Sequence, residues 1–226
     1  MDIRHENGVA MLMALAAMLL MSALGIALVL TTSSEAVIAS NFRDSSEGVY
    51  AADAALERSL DDLRAIPDWN GVLAGAVRST FVDGAPSGGR TLADGSTIDL
   101  GRMVNMADCS QATACSDAEM DAVTAQRPWG ANNPRWQLYA YGNLRDMLPR
   151  GTIDSPYYVT VMVGDDPSET DGNPLQDGIG TAGAGVLALR AEALGPRGAR
   201  RMVEMTVARS DVAQAGVRVL SWREVR

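Results

Sequence analysis

Residues 9–30 read VAMLMALAAMLLMSALGIALVL, twenty-two positions without a charge. About 20 apolar residues suffice to cross a bilayer as a helix, so this run predicts a membrane-spanning α-helix. The pattern then changes from uniformly apolar to striped. From Val37 onward apolar residues recur at Ile38, Phe42, Val49, Ala52, Leu56, Leu60 and Leu63, while Asp53, Glu57, Arg58, Asp61 and Asp62 fall off that stripe. Spacings of three, four and seven predict that the helix continues with one buried face. Pro67, Asp68 and Asn70-Gly71 end it. Taken as one element, residues 9–65 would run roughly 85 Å, with Gly25 and Gly48 as places to bend or loosen.

Residues 71–133 are rich in Gly, Asp and Ser with little periodicity, and read as loops with one short helix over 116–125. Strand signals follow at 136–141, 157–163, 186–193, 202–208 and 217–225. Gly195-Pro196-Arg197-Gly198 joins two of them as a hairpin turn. Val203, Met205 and Val207 alternate with Met202, Glu204 and Thr206, so one face of that strand is buried. A long N-terminal helix followed by an antiparallel β-sheet is an α+β layout.

The composition break lies at the near end of the apolar run, between Gly8 and Val9. A cleavable secretory signal has a shorter apolar core and a small-x-small site beyond it. Here the run passes into Thr31-Thr32-Ser33-Ser34-Glu35 without such a site. Arg4 precedes the span and Glu35 is the first charge after it, which places the C-terminal part outside the cytoplasm, weakly, by the positive-inside rule.

The segment Arg4-His5-Glu6-Asn7-Gly8 followed by Val9-Ala10-Met11-Leu12-Met13 resembles a type IV prepilin-like leader. The stretch TTSSEAVIASNFRDSSEGVYAADAALE is similar to the N-terminal region of PilX-type minor pilins; Glu35, Asn41, Arg43, Asp44 and residues 51–57 carry that likeness. The resemblance covers about the first quarter of the chain. It implies that residues 1–8 are a leader removed by a prepilin peptidase between Gly8 and Val9. Residues 9–30 would then be the transmembrane helix, 31–66 its periplasmic extension and 67–226 a globular α+β domain with the pilin architecture. It implies as partners other minor pilins, the major pilin, the peptidase, an inner-membrane assembly platform and membrane lipid. Met13 stands where most pilins carry a glutamate that neutralises a neighbouring subunit's amine in the filament core. Leaving one buried charge unpaired costs several kcal/mol, so Met13 points to a low-copy tip or priming subunit. A tip pseudopilin of type II secretion, similar to the GspK type, and a plain signal anchor carrying a periplasmic binding module are the alternatives.

Charge and cysteine content narrow the chemistry. The formal charge is −9; Asp2, Glu6 and Arg4 give the leader −1, leaving −8 for the rest. All 19 basic residues are arginine. Such an acidic chain disfavours wholesale nucleic-acid binding. Cys109 and Cys115 are either a disulfide in an exported loop, stabilising it by about 2 kcal/mol at most, or two free thiols. With His5 the only histidine, zinc ligation and thiol catalysis lack support, no cofactor motif is present, and a non-catalytic protein is expected. Gly178 to Gly183 spells G-x-G-x-x-G but follows a loop and leads into a strand, so it reads as a connection. The acidic run over 164–177 departs from an EF-hand at Leu175 and reads as a solvated loop between strands.

Overall fold

The computed structural model describes residues 6–125, 135–147, 154–169, 171–178, 183–210 and 216–225. The chain divides into two units, one ending at Asp44 and one spanning Ser45–Arg226. Helix α1, Glu6–Arg64, contributes to both. Gly25 and Gly48 lie inside it, and the helix is unbroken at both.

In the second unit the striped end of α1 behaves as its periodicity requires. Ala51, Ala52, Ala55, Leu56, Leu60 and Leu63 are buried in one apolar cluster with Val159, Val161, Val163, Leu187, Leu189, Val203, Met205 and Val207 of the sheet. The small residues let the helix approach closely. A Cβ at Gly48 would lie 2.8 Å from Cγ of Arg201, which explains a glycine in mid-helix. The helix ends where Trp69 folds back and its indole N–H donates to the Leu63 carbonyl at 3.3 Å. That satisfies one of the acceptors a helix C-terminus leaves open.

The main sheet is antiparallel, with five strands that neighbour one another in chain order. Its strands are β3 Gln137–Asn143, β4 Tyr158–Asp165, β5 Val186–Leu194, β6 Arg200–Arg209 and β7 Val217–Val225. Sequential neighbours pair throughout, as short connections favour. The β5–β6 turn closes through Gly195 N–H donating to Ala199 O at 2.7 Å. Gly195 itself is dictated by packing, since a Cβ there would sit 2.4 Å from the Tyr157 ring. Strand β4 is buried along its whole length, because α1 covers one face and a second layer covers the other.

That second layer was not anticipated. Its elements, a hairpin of β1 Gly89–Thr91 with β2 Thr97–Asp99 and helix α3, Leu100–Cys109, lie in the stretch 71–133 read as loops apart from 116–125, whereas a short helix α2, Asn70–Leu73, packs Val72 and Leu73 into the cluster that holds α1. Asp99 caps α3 by accepting the Arg102 N–H at 2.8 Å, and Ser110 ends it in the left-handed region. Leu100, Met103, Val104 and Ala107 recur at helical spacing and pack with Leu92, Trp136, Leu138, Tyr158 and Met162. The signal existed but was a single short period inside a Gly-rich stretch. Helix α4, Asp117–Ala125, starts at a capping box. Glu119 accepts the Ser116 N–H at 2.8 Å and Ser116 accepts the Glu119 N–H at 3.3 Å, pairing two donors that a helix N-terminus otherwise strands.

Candidate functional site

In the first unit, α1 has the length and apolarity to cross a membrane, with an 18-residue stretch of mean hydropathy 2.5. Its apolar side chains are exposed on every side; Leu19 is 72 % and Met21 74 % exposed. Exposed apolar surface of this extent is costly in water, at roughly 25 cal/mol per Å², and the arrangement suits an apolar surrounding. The polar side chains in and behind the run fit the same surroundings. Ser22 donates to Met18 O at 2.8 Å, Thr31 to Ala27 O at 2.9 Å, Thr32 to Leu28 O at 3.0 Å and Ser34 to Leu30 O at 3.0 Å. Each hydroxyl hydrogen is satisfied by a carbonyl one turn back, so none requires water.

Gly8 and Val9 are consecutive residues in the first turns of α1, both exposed, and Met13 lies further along the same apolar run. Residues 1–5 of the expected leader, with His5, lie outside the described residues. So do the four central residues of the glycine motif, 179–182.

The remaining chemistry belongs to the globular unit. Cys109 and Cys115 are joined in a disulfide with Cα atoms 6.0 Å apart, tying the end of α3 to the segment before α4. Beside it, the buried Asp108 accepts the Trp136 N–H at 2.8 Å. Burial pushes its carboxyl up to about 6, against the opposing pull of that N–H and of Arg135. This contact joins α3 to the start of β3.

The acidic run over 164–177 leaves β4 as a connecting loop in which Asp171, Gly172, Leu175 and Gln176 are exposed, but two of its carboxylates are not. Asp165 and Glu169 are fully buried, and their carboxylate oxygens converge with one of Asp171 within 4.8 Å. Burial first, and the Glu169 carboxylate second, hold the Asp165 carboxyl well above its ordinary range. Three such oxygens are the donor type a hard cation would use. The local backbone is ordered by short polar turns, with Asp166 accepting from Ser168 and Asp171 from Asn173. Asp177 completes the loop by accepting the Gly185 N–H at 2.5 Å while its own N–H donates to Asn70 Oδ1 at 2.8 Å. Sequence reading missed the burial because it depends on the loop folding under the ends of β4 and β5.

A groove of about 790 Å³ is lined by Ser45, Arg190, Arg200, Arg201, Met202 and Glu224. Arg200 pairs with the buried Glu192 and Arg201 with Glu224 at 3.8 Å. Two of its three guanidinium groups are thus matched by carboxylates within the fold.

No protein-family model, curated protein or solved structure matches the chain.

Proposed function

We propose that this chain is a minor pilin-like subunit that helps prime, assemble or cap a type IV pilus. The observation that carries the reading is the exposed, uniformly apolar first half of α1, which begins directly behind the Gly8–Val9 junction. In this reading a prepilin peptidase cuts between those residues. The mature helix waits in the bacterial inner membrane with the globular α+β unit in the periplasm, and its apolar surface then packs against the corresponding helices of other minor pilins. Met13 supplies no carboxylate for a neighbour's amine, which suits a subunit used once at a tip rather than repeated along a shaft. The role is structural, and the Cys109–Cys115 disulfide is in keeping with folding outside the cytoplasm.

The test is intact-mass and N-terminal analysis of the chain expressed with and without a prepilin peptidase. Loss of residues 1–8 only with the peptidase present, leaving Val9 at the N-terminus, is the expected result. An intact leader under both conditions would leave a simple membrane anchor. Cleavage together with copurification of secretion-system pseudopilins, rather than pilins, would move the protein to a type II secretion tip.

A further inference from the structure

The two edges of the main sheet are finished differently. A strand edge exposes backbone N–H and C=O groups that pair with any suitable extended segment, and proteins usually cover it. At β3 the cover is internal. Residues 79–83 run parallel to the strand: Ser79 N–H donates to Tyr139 O at 3.0 Å, Tyr141 N–H to Phe81 O at 3.0 Å and Asp83 N–H to Tyr141 O at 2.9 Å. At β7 no such cover exists among the described residues; the strand pairs with β6 alone.

Strand β7 is also long and apolar for an edge. Over nine residues it carries Val219, Leu220 and Trp222, each nearly half exposed. Trp222 is held by donating from its indole N–H to Asp53 Oδ1 at 2.8 Å. It forms one wall of a groove of about 370 Å³ whose opposite wall is Val49 and Tyr50 of α1. Tyr50 is 73 % exposed on that wall. An added strand would therefore meet backbone groups along β7 and an aromatic shelf beside it. This is how extended peptides add to sheet edges: main-chain bonds give affinity and alternate side chains fill neighbouring pockets.

Charge selects the occupant. Arg223 pairs with Glu204 across the sheet, but the Arg218 guanidinium, on a residue whose backbone pairs with Ala208, has no hydrogen-bond or ion-pair partner among the described residues. The strand thus offers an unmatched cation within a chain of net charge −9. A second β7 would bring further arginines to the edge.

We propose that the outer edge of β7 is a docking site for an extended, acidic, alternately apolar segment of another polypeptide, which adds as a sixth strand. It binds through the β7 backbone, with apolar side chains against Trp222 and Tyr50 and a carboxylate opposite Arg218. The site does not depend on what the apolar helix does.

The test uses the full chain in detergent micelles and a fluorescein-labelled synthetic peptide alternating valine and threonine with two aspartates, followed by fluorescence anisotropy. Saturable binding is expected, weakened at least about tenfold when lysines replace the aspartates. Arg218→Glu, an exposed change that leaves the core untouched, should reverse that preference. N-methylating alternate peptide amides should abolish binding in one register of methylation and spare it in the other, because only one set of N–H groups faces β7. Absent binding, equal affinity for the acidic and basic peptides, or indifference to N-methylation would each overturn the proposal. Dimers that form without peptide and disappear in Leu220→Pro would assign the edge to a second copy and overturn it as well.

Discussion

The two halves of α1 differ both in how much of each is apolar and in how the apolar positions are arranged. Over residues 9–30 apolar side chains occupy every direction and none is covered by the protein. Over 51–63 they occupy one stripe, and Ala52, Leu56, Leu60 and Leu63 are essentially inaccessible. The same residue types therefore serve different solvents. In the second half, pattern supplies a face for the sheet; in the first, absence of pattern leaves no polar face for water. A helix hydrophobic all round belongs in a membrane or a large core, and within its own unit this one has no such core. The intervening residues Val37, Ile38 and Phe42 are instructive. They begin the helical stripe by spacing, yet remain exposed like the run before them.

Paired substitutions sharpen this contrast. Leu56→Ala removes a fully buried side chain and should cost the globular unit about 3 kcal/mol, read by urea unfolding with tryptophan fluorescence in detergent. Leu20→Ala, equally conservative but in the exposed run, should shift the same curve by less than about 0.5 kcal/mol. Equal effects would mean that the two halves do not differ in kind.

The next largest effect reverses the assignment. Met18→Arg places a charge near the centre of the apolar run, where insertion is opposed by about 3 kcal/mol. The membrane-associated fraction in a flotation assay should fall, while the urea midpoint of the globular unit stays put. Unchanged flotation would remove the membrane from the account of this segment.

A smaller effect is confined to the globular unit, because among the described residues the buried carboxylates all lie there. Asp108, raised by burial to about 6 from an ordinary 3.8, binds its proton more tightly when folded than unfolded. Its charged form therefore costs stability above pH 6, and that cost is relieved as pH falls toward 4. Asp165 is displaced in the same direction. The unit should accordingly gain stability between pH 7.5 and 4.5, by on the order of 2 kcal/mol from Asp108. Asp108→Asn, which keeps an acceptor for the Trp136 N–H, should flatten the slope. A slope of the opposite sign would show that these carboxylates are charged and well paired in the native state.

Smallest of all is the disulfide. Replacing Cys109 and Cys115 together by serine opens a short loop and should cost about 2 kcal/mol at most, seen as a modest drop in urea midpoint. A larger loss would show that the bond holds α3 on the sheet rather than pinning a local turn.

Much of this architecture was legible in the chain. The apolar run, the stripe from Ala52 to Leu63, the alternation at Val203, Met205 and Val207, and the turn at Gly195 to Gly198 are local patterns, and local geometry follows from them. Strands β3 to β7 were readable because aromatic and β-branched residues, or in β5 apolar residues at alternate positions, lie between turn signals. Helix α3 and the β1–β2 hairpin were harder, since each spans too few residues for a period to stand out.

The sequence by itself determined the division of α1 into an all-apolar and a striped half, and the antiparallel succession of strands, because both arise from residue spacing along one element. Only the tertiary structure decided which polar groups are buried and which edges are open. Asp108, Asp165 and Glu169 look like surface carboxylates in one dimension, and Glu192 looks like an exposed strand residue. Their burial comes from segments distant in sequence closing over them. The covered edge at β3 and the bare edge at β7 likewise depend on where residues 79–83 fall in space, and no spacing within β3 or β7 encodes that.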